Sequence, residues 1–321
     1  MSLLAKWLAS PPPDAAVEIA SGRVSAASMV SRGAGLAVQA YAVEPLPSGA
    51  VVPSLTSQNI VDPTTVASAV RTALGRLGTR PARVALIVPD LAAKVSLIRF
   101  DQVPARREDL DQLVRWQLRK SAPFPIEEAC VTYTPGIRDD GSSAEFVVAL
   151  ARRDVIEEYE KVCGAAGVYA GLVDLATFSV VNLFLASASA PGGDWLAVHM
   201  RPDYTSIAIV RGENMIFFRT RPEGEEEPLA DLVHQTTMYY QDRLAGQGFS
   251  RVLMGGSGRV PGALDHARRS LEERLGIAVD AIDPTKIATL SDRISVTPEL
   301  MDALTPLAGM LVRTQREAVS V

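Results

Sequence analysis

The chain has 321 residues, of which 47% are hydrophobic and 21% are charged, and its formal net charge is −5 at pH 7. This length predicts one large or two medium domains, and the mild acidic excess argues against a nucleic-acid-binding protein. The two cysteines, Cys130 and Cys163, stand far apart in sequence. They favour reduced structural thiols of a cytosolic protein over a metal cluster. No apolar run approaches the roughly 18 residues that a membrane span needs.

The first half is predicted to open with a β-meander. Residues 1–13 are interpreted as an N-terminal extension that ends in three prolines. Asp62 followed by Pro63 is typical of a helix start, and this helix is predicted to run to Gly78. Short strands bounded by turn residues are predicted at 17–20, 24–30, 36–43 and 84–88.

Residues from about 94 to 152 are predicted to form an inserted α+β subdomain. A half-buried strand opens it, and a helix from Arg107 to about Lys120 carries its apolar residues on one stripe. Two further strands then flank a polar turn. Beyond the subdomain the pattern predicts a charged helix, a strand at 168–173 and a buried helix at 175–186. The small residues of 188–194 are typical of a domain linker.

The second half repeats this design. Three strands are predicted at 195–200, 205–210 and 215–220, followed by a long helix from Leu229 to Leu244. A strand, a glycine-rich turn, an amphipathic helix and a further strand occupy 251–284, and a last helix runs from about Pro298 to Arg313. Two halves that each begin with a meander and continue into helix and strand predict a duplicated α/β architecture.

The glycine-rich turn carries Gly255, Gly256 and Ser257 between an apolar strand and its helix. A turn of this kind can direct backbone N–H groups at a phosphate or a sugar. It can also serve only to pack a helix closely on a sheet. For an isolated Gly-Gly pair the packing interpretation is favoured, so a nucleotide site needs support from other segments.

The most specific stretch is Leu113–Leu185. It reads LVRWQLRKSAPFPIEEACVTYTPG and, after a polar turn, EFVVALARRDVIEEYEKVCGAAGVYAGLVDLATFSVVNLFL, with Asp174 near the end of a strand. In order and spacing it resembles the type IV pilus assembly protein PilM family, which is related to FtsA within the actin-like ATPase superfamily.

This resemblance covers residues from about 15 to 313. It implies an α/β, duplicated actin-like (ribonuclease H-like) two-domain fold with the inserted α+β subdomain in the first half. The first domain would span 14–187 and the second 195–321, the latter without most of one subdomain. The ten residues Arg219–Pro228 connect the second meander directly to the long helix, where the family has a helical segment.

The phosphate loops depart from the pattern of the family members that bind ATP. Their first loop resembles Asp-Ile-Gly-Ser-Ser-Ser-Val-Lys, whereas the hairpin from Glu18 has alanine for the close-approach glycine and no lysine. Their second loop resembles Asp-Ile-Gly, whereas His199-Met200-Arg201-Pro202 stands here. Proline donates no N–H. Neither loop provides the backbone cradle on which phosphoryl transfer depends.

The candidate cofactor-binding residues are therefore those of a degenerate nucleotide cleft. No cofactor is expected, no catalytic or metal-binding residue is assigned, and Mg-ATP bound without hydrolysis is the alternative. His199 is interpreted as a buried histidine with a satisfied hydrogen bond, in preference to a pH switch. The cleft residues that the resemblance implies are Glu18, Ser21, Gly22, Gly255, Gly256 and Ser257.

The resemblance implies a cytoplasmic scaffold and pseudo-ATPase, peripheral at the inner membrane through its partners. Its partner would be the short cytoplasmic N-terminal peptide of a PilN-like membrane protein, in a groove beside the inserted subdomain. The scaffold would link the membrane platform of the pilus to its cytoplasmic motor, without nucleic acid. The alternatives are a GspL-like component of type II secretion and a genuine actin-like ATPase or sugar kinase.

Overall fold

The computed structural model describes most of the chain. Of the predicted N-terminal extension it describes only Pro13, and of the predicted linker only residues 192–194. Among the described residues no helix is long and apolar enough to cross a membrane. The described residues are 13, 15–32, 35–138, 143–186, 192–224, 228–258, 260–290 and 297–320.

The elements follow one another largely as the sequence pattern predicts. The strands are β1 (Ala15–Ala20), β2 (Arg23–Arg32), β3 (Gly35–Pro45), β4 (Arg83–Val88), β5 (Ala93–Phe100), β6 (Ala129–Arg138), β7 (Ala144–Arg152), β8 (Tyr169–Leu175), β9 (Asp194–Met200), β10 (Tyr204–Arg211), β11 (Asn214–Pro222), β12 (Phe249–Gly256), β13 (Val279–Ala281) and β14 (Ala288–Leu290). The helices are α1 (Pro63–Arg76), α2 (Arg107–Leu118), α3 (Arg153–Ala165), α4 (Ala176–Leu185), α5 (Leu229–Arg243), α6 (Ala263–Leu275) and α7 (Pro298–Ser320).

The first sheet has six strands in the order β14-β3-β2-β1-β4-β8. The antiparallel meander β1-β2-β3 is confirmed, and β4 and β8 lie parallel to β1. Every residue of β1 is buried, because helices cover both faces of the sheet. Val17 and Ile19 pack toward α1 and α3, whereas Ala16 packs on the opposite side with α7. Because both faces of the sheet are buried, the central strands are runs of mainly apolar residues in the sequence.

The second sheet has five strands in the order β11-β10-β9-β12-β13 and contains the second predicted meander. Leu232 of α5 and Leu271 of α6 pack on one of its faces. Val180 and Phe184 of α4 pack on the other face. Because Leu183 of the same helix packs in the core of the first sheet, α4 lies between the two sheets. The burial of this helix, predicted from the sequence, follows from this position, and its surface is apolar on nearly all sides.

The inserted segment forms a third sheet in the order β5-β7-β6. One face of this sheet packs against α2, with Phe146, Val148 and Leu150 meeting Val114 and Leu118. Because side chains alternate along a strand, the residues of β7 between Phe146, Val148 and Leu150 point to the opposite face of the inserted sheet. That opposite face lies toward the first sheet.

The last part of the chain returns to the first sheet. β14, which the sequence pattern does not predict, pairs with β3 in parallel. α7 packs against α4, β1 and β2, and its buried Leu304 and Leu307 belong to the core of the first sheet. The segment predicted as a second domain at 195–321 thus contributes its last strand and last helix to the first half. Asp194, placed in the linker by the sequence, is the first residue of β9.

Candidate functional site

Three loops that the sequence assigns to a nucleotide cleft meet in the structure. β9 and β12 are parallel neighbours, so Gly256 lies opposite Met200 where both strands end. Glu18 on β1 points to the α7 side of the first sheet, as does Ala16 two residues earlier. Asp302 of α7 and Arg23 of β2 complete the group. We call Glu18, Arg23, Arg201, Ser257 and Asp302 the cleft cluster.

The four charged residues of the cleft cluster form an ion-pair network. Arg201 Nη2 lies 3.1 Å from Glu18 Oε1, and Arg201 Nη1 lies 3.2 Å from Asp302 Oδ1. Arg23 Nη1 lies 2.6 Å from Asp302 Oδ2, and Arg23 Nη2 lies 3.6 Å from Glu18 Oε2. Two guanidinium groups thus face two carboxylates. Glu18, Arg201 and Asp302 are all buried, which makes each charge dependent on its partners.

The charges of this network stabilise one another. Burial alone would raise the pKa of Asp302, but Arg201, Arg23 and a hydrogen bond from Ser257 outweigh it and lower that pKa to about 2. Burial would lower the pKa of Arg201, yet Glu18 and Asp302 raise it above its usual value. Both groups are therefore ionised at neutral pH. The carboxylates that could hold a metal ion already face cations, so the cluster does not fit a Mg-phosphate site.

The glycines of the predicted adenosine-side motif serve close packing. A Cβ atom on Gly256 would lie 1.9 Å from the Met200 carbonyl oxygen, and the φ of Gly256 is +107°. A Cβ atom on Gly255 would lie 2.7 Å from Cβ of Ile282. Ser257 N–H donates to the Met200 oxygen at 2.8 Å. The backbone approach that glycine permits here is made to the protein itself.

The remaining predicted cleft residues lie in the β1–β2 turn. Ser21 is half-buried and Gly22 is exposed. The carbonyl oxygen of Gly22 accepts a hydrogen bond from Leu46 N–H at 2.9 Å. Glu18, Gly256 and Ser257 thus meet around Met200 and Arg201, whereas Gly22 packs beside Leu46.

A second buried polar network lies deeper between the two sheets. Asp90, two residues after the end of β4, accepts hydrogen bonds from the Thr177 N–H at 3.0 Å and from Ser206 Oγ at 2.6 Å. Thr177 Oγ1 also donates to Asp90, and His199 Nδ1 lies 2.8 Å from Thr177 Oγ1. Because the single Thr177 proton is directed to Asp90, His199 donates from Nδ1. Ser206 Oγ also lies 2.8 Å from Thr220 Oγ1.

His199 is neutral in this network. Burial, with a further contribution from Arg201, lowers the pKa of His199 to about 3. Burial also raises the pKa of Asp90 above its ordinary value, against the lowering effect of its hydrogen bonds. His199 is the buried, hydrogen-bonded histidine that the sequence favours. His199 belongs to β9 of the second sheet and contacts Thr177 of α4, which makes it part of the contact between the two halves.

Sequence reasoning missed two carboxylates that organise these networks. Asp302 interrupts the apolar stripe of α7, and Asp90 follows the apolar run of β4. Both residues are buried. An acidic residue on an otherwise apolar face is a signal for a buried polar contact, because an unpaired buried charge is costly. The sequence contains that signal, but it does not identify the partners.

A groove of about 440 Å³ separates the inserted sheet from the first sheet. Small side chains of β6 and β7 form one wall, because their larger neighbours pack under α2. Residues of α3, β8, α4 and α7 form the facing wall. The lining includes Cys130, Thr132, Thr134, Val147, Ala149 and Ala151 on the first wall, and Ile156, Glu160, Leu172, Asp174, Phe178 and Arg313 on the second.

The groove is mostly apolar with an ion pair at one end. Arg313 of α7 pairs with Asp174 at the end of β8. Cys130 lies in the groove and Cys163 in the core, and both are free thiols, as predicted. Burial raises the pKa of both thiols above the ordinary value. These thiols are therefore protonated at neutral pH and contribute as small apolar groups.

Comparison with known proteins identifies the fold. A solved structure of a PilM-PilN type IV pilus biogenesis complex is similar with a TM-score of 0.81 and 17% identity, over 95% of this chain and 99% of that chain. A Bacteroides thetaiotaomicron protein with an actin-like ATPase fold is similar with a TM-score of 0.52 and 9% identity, over 97% of this chain and 98% of that chain. The predicted actin-like fold is confirmed.

The family follows from the sequence match. The profile of the type IV pilus assembly protein PilM family matches residues 16–243. This range includes both meanders, the inserted sheet and α5. It covers well over half of the 321 residues. The chain therefore belongs to the type IV pilus assembly protein PilM family.

Proposed function

We propose that this protein is a cytoplasmic scaffold of type IV pilus biogenesis that binds the cytoplasmic N-terminal peptide of a PilN-like inner-membrane protein. By holding that peptide it links the membrane platform to the cytoplasmic motor, and it lies at the inner membrane only through its partners. The observation that carries this proposal is the apolar groove between the inserted sheet and β8.

The groove has the properties of a peptide site. Apolar lining with a few charged groups at its ends suits an extended segment that buries side chains and keeps its polar ends oriented. The wall formed by Thr132, Ala149 and Ala151 consists of small residues, so it leaves room for side chains of a partner. The similar solved structure contains a PilM-PilN complex, which supports a PilN-like partner for this protein.

We also propose that the protein is a pseudo-ATPase. The cleft cluster supports this, because Arg201 and Arg23 bind the carboxylates that would otherwise organise a metal ion and its water. Gly256 contacts the Met200 carbonyl and does not face open space. The ion pairs join β1, the end of β9 and α7, so protein side chains alone hold the two halves together at this cleft.

The test of the scaffold is a titration with a synthetic peptide of the cytoplasmic N-terminus of the cognate PilN-like protein. Ala149→Arg places a long cation in the groove, and we expect it to abolish binding while the protein stays folded. Ala278→Arg, at an exposed position before β13, is the matched control and should bind as the parent chain does. No binding to the folded parent chain at high micromolar peptide contradicts the proposal.

A further inference from the structure

β8 is the last strand of the first sheet on the groove side. It pairs with β4 on one edge, and among the described strands none pairs with its other edge. An edge strand presents N–H and C=O groups that a further strand can bind. Tyr169 at its start is 68% exposed, so no described part of the chain covers this end of the edge.

Two depressions follow this edge in succession. The groove contacts Leu172, Val173 and Asp174 near the end of β8. A second depression of about 390 Å³ contacts Val168, Tyr169 and Ala170 at its start. The two share Glu160 of α3. Together they lie along both ends of β8, which spans about 23 Å at a rise of about 3.3 Å per residue.

Among the described residues that line these depressions, one carboxylate has no counter-ion. Lys161 Nζ lies 3.3 Å from Glu157 Oε2, and Arg313 pairs with Asp174. Glu160 is exposed and forms no ion pair with any described residue. It lies where the two depressions join. The path along β8 therefore has an unpaired negative charge where the two depressions join, and one ion pair in each depression.

We infer that the partner segment binds as an added strand along the free edge of β8 and that Glu160 selects a lysine or arginine in it. This inference rests on the proposed function. The cytoplasmic flank of a membrane-spanning helix is enriched in Lys and Arg, so a segment of that kind complements Glu160. Main-chain hydrogen bonds to β8 supply sequence-independent affinity, and Glu160 supplies the choice of register.

Charge exchange tests the role of Glu160. Glu160→Lys should weaken binding of the peptide about tenfold, because one ion pair is lost and one repulsion is gained. Glu273→Lys, an exposed change of the same charge on α6, should leave binding unchanged. A peptide in which the basic residue is replaced by Glu should bind Glu160→Lys more tightly than it binds the parent chain. Equal affinity of the parent peptide for Glu160→Lys and the parent chain overturns the inference.

Backbone methylation tests strand addition. N-methyl groups on one alternating set of peptide residues should abolish binding, whereas the other set should be tolerated, because only one set faces β8. Hydrogen exchange of the amides within Tyr169–Leu175 should slow when peptide is added. Tolerance of both sets overturns strand addition and leaves the scaffold proposal intact. A folded parent chain that binds no unmodified peptide instead contradicts the scaffold proposal itself.

Discussion

Arg201 and Glu18 form a buried ion pair across the two halves of the protein, with 3.1 Å between Nη2 and Oε1. Their side chains are 3% and 2% exposed. Glu18 lies on β1 of the first sheet, and Arg201 follows β9 of the second. The same guanidinium reaches Asp302 of α7 at 3.2 Å. One arginine side chain thus connects three segments that are far apart in sequence.

Replacing Arg201 with alanine should destabilise the protein by about 3–5 kcal/mol, because Glu18 and Asp302 lose a buried counter-ion. The control is Arg251→Ala, which removes a pair with Asp280 whose side chains are 30% and 51% exposed. That change should cost less than about 1 kcal/mol. Urea unfolding measures both. Equal losses for the two variants would mean that the cleft network contributes no more than a surface pair.

Two of the three candidate glycines of the cleft, Gly256 and Gly22, should respond differently to alanine. Gly256→Ala forces a methyl group against the Met200 carbonyl at a positive φ and should cost more than about 2 kcal/mol of the free energy of unfolding. Gly22→Ala meets nothing within 4 Å and should stay within about 0.5 kcal/mol of the parent chain. Thermal and urea unfolding distinguish them. A stable Gly256→Ala variant would show that the β9–β12 contact is loose.

The fold was largely predictable because it follows from local pattern. A short stretch of sequence predicts each three-strand meander, the helix start at Asp62-Pro63 and the buried, mostly apolar helix α4. The structure contains all of these elements. β14 was missed because three residues carry too little periodicity to identify a strand. Its parallel pairing with β3 joins positions that are distant in sequence.

The site was predictable only in part, for a related reason. The segments of Glu18, Arg201 and Gly256 could be located from their place in the pattern, and the structure brings them together. Asp302 and Asp90 could not, because their role depends on partners from other elements. The structure also changes the interpretation of Arg201. In the sequence, this residue only disrupts a phosphate loop, whereas in the structure it is the central cation of an ion-pair network.

Stability should fall as the pH falls from about 6.5 to about 3, in part because of His199. The folded chain keeps this side chain neutral, with a pKa lowered to about 3 by burial, whereas the unfolded chain takes up the proton near pH 6.5. The unfolded state therefore gains about 1.4 kcal/mol per pH unit within that window, and stability is retained above it.

His199→Asn isolates this contribution, because the amide can still donate to Thr177 but cannot titrate. The difference in unfolding free energy between parent chain and variant should change with pH between 3 and 6.5 and stay constant above. Because both proteins contain Asp90 and Asp302, the difference between their unfolding free energies removes the contributions of these two residues to the pH dependence. His266→Asn, on the exposed face of α6, is the matched control. A difference that is independent of pH would mean that His199 is protonated in the folded protein.

We expect isothermal calorimetry to detect no binding of Mg-ATP below about millimolar concentrations, and we expect no release of phosphate. Two arginines hold Glu18 and Asp302, so Mg²⁺ would have to displace a cation from each carboxylate in a buried site, where repulsion between cations is strong. Arginine attracts phosphate, so a weak interaction of ATP without metal is compatible with this geometry. Glu18→Gln, which keeps the shape of the side chain, is the control for turnover. Micromolar affinity for Mg-ATP together with phosphate release that Glu18→Gln abolishes would establish a working ATPase and refute the pseudo-ATPase proposal.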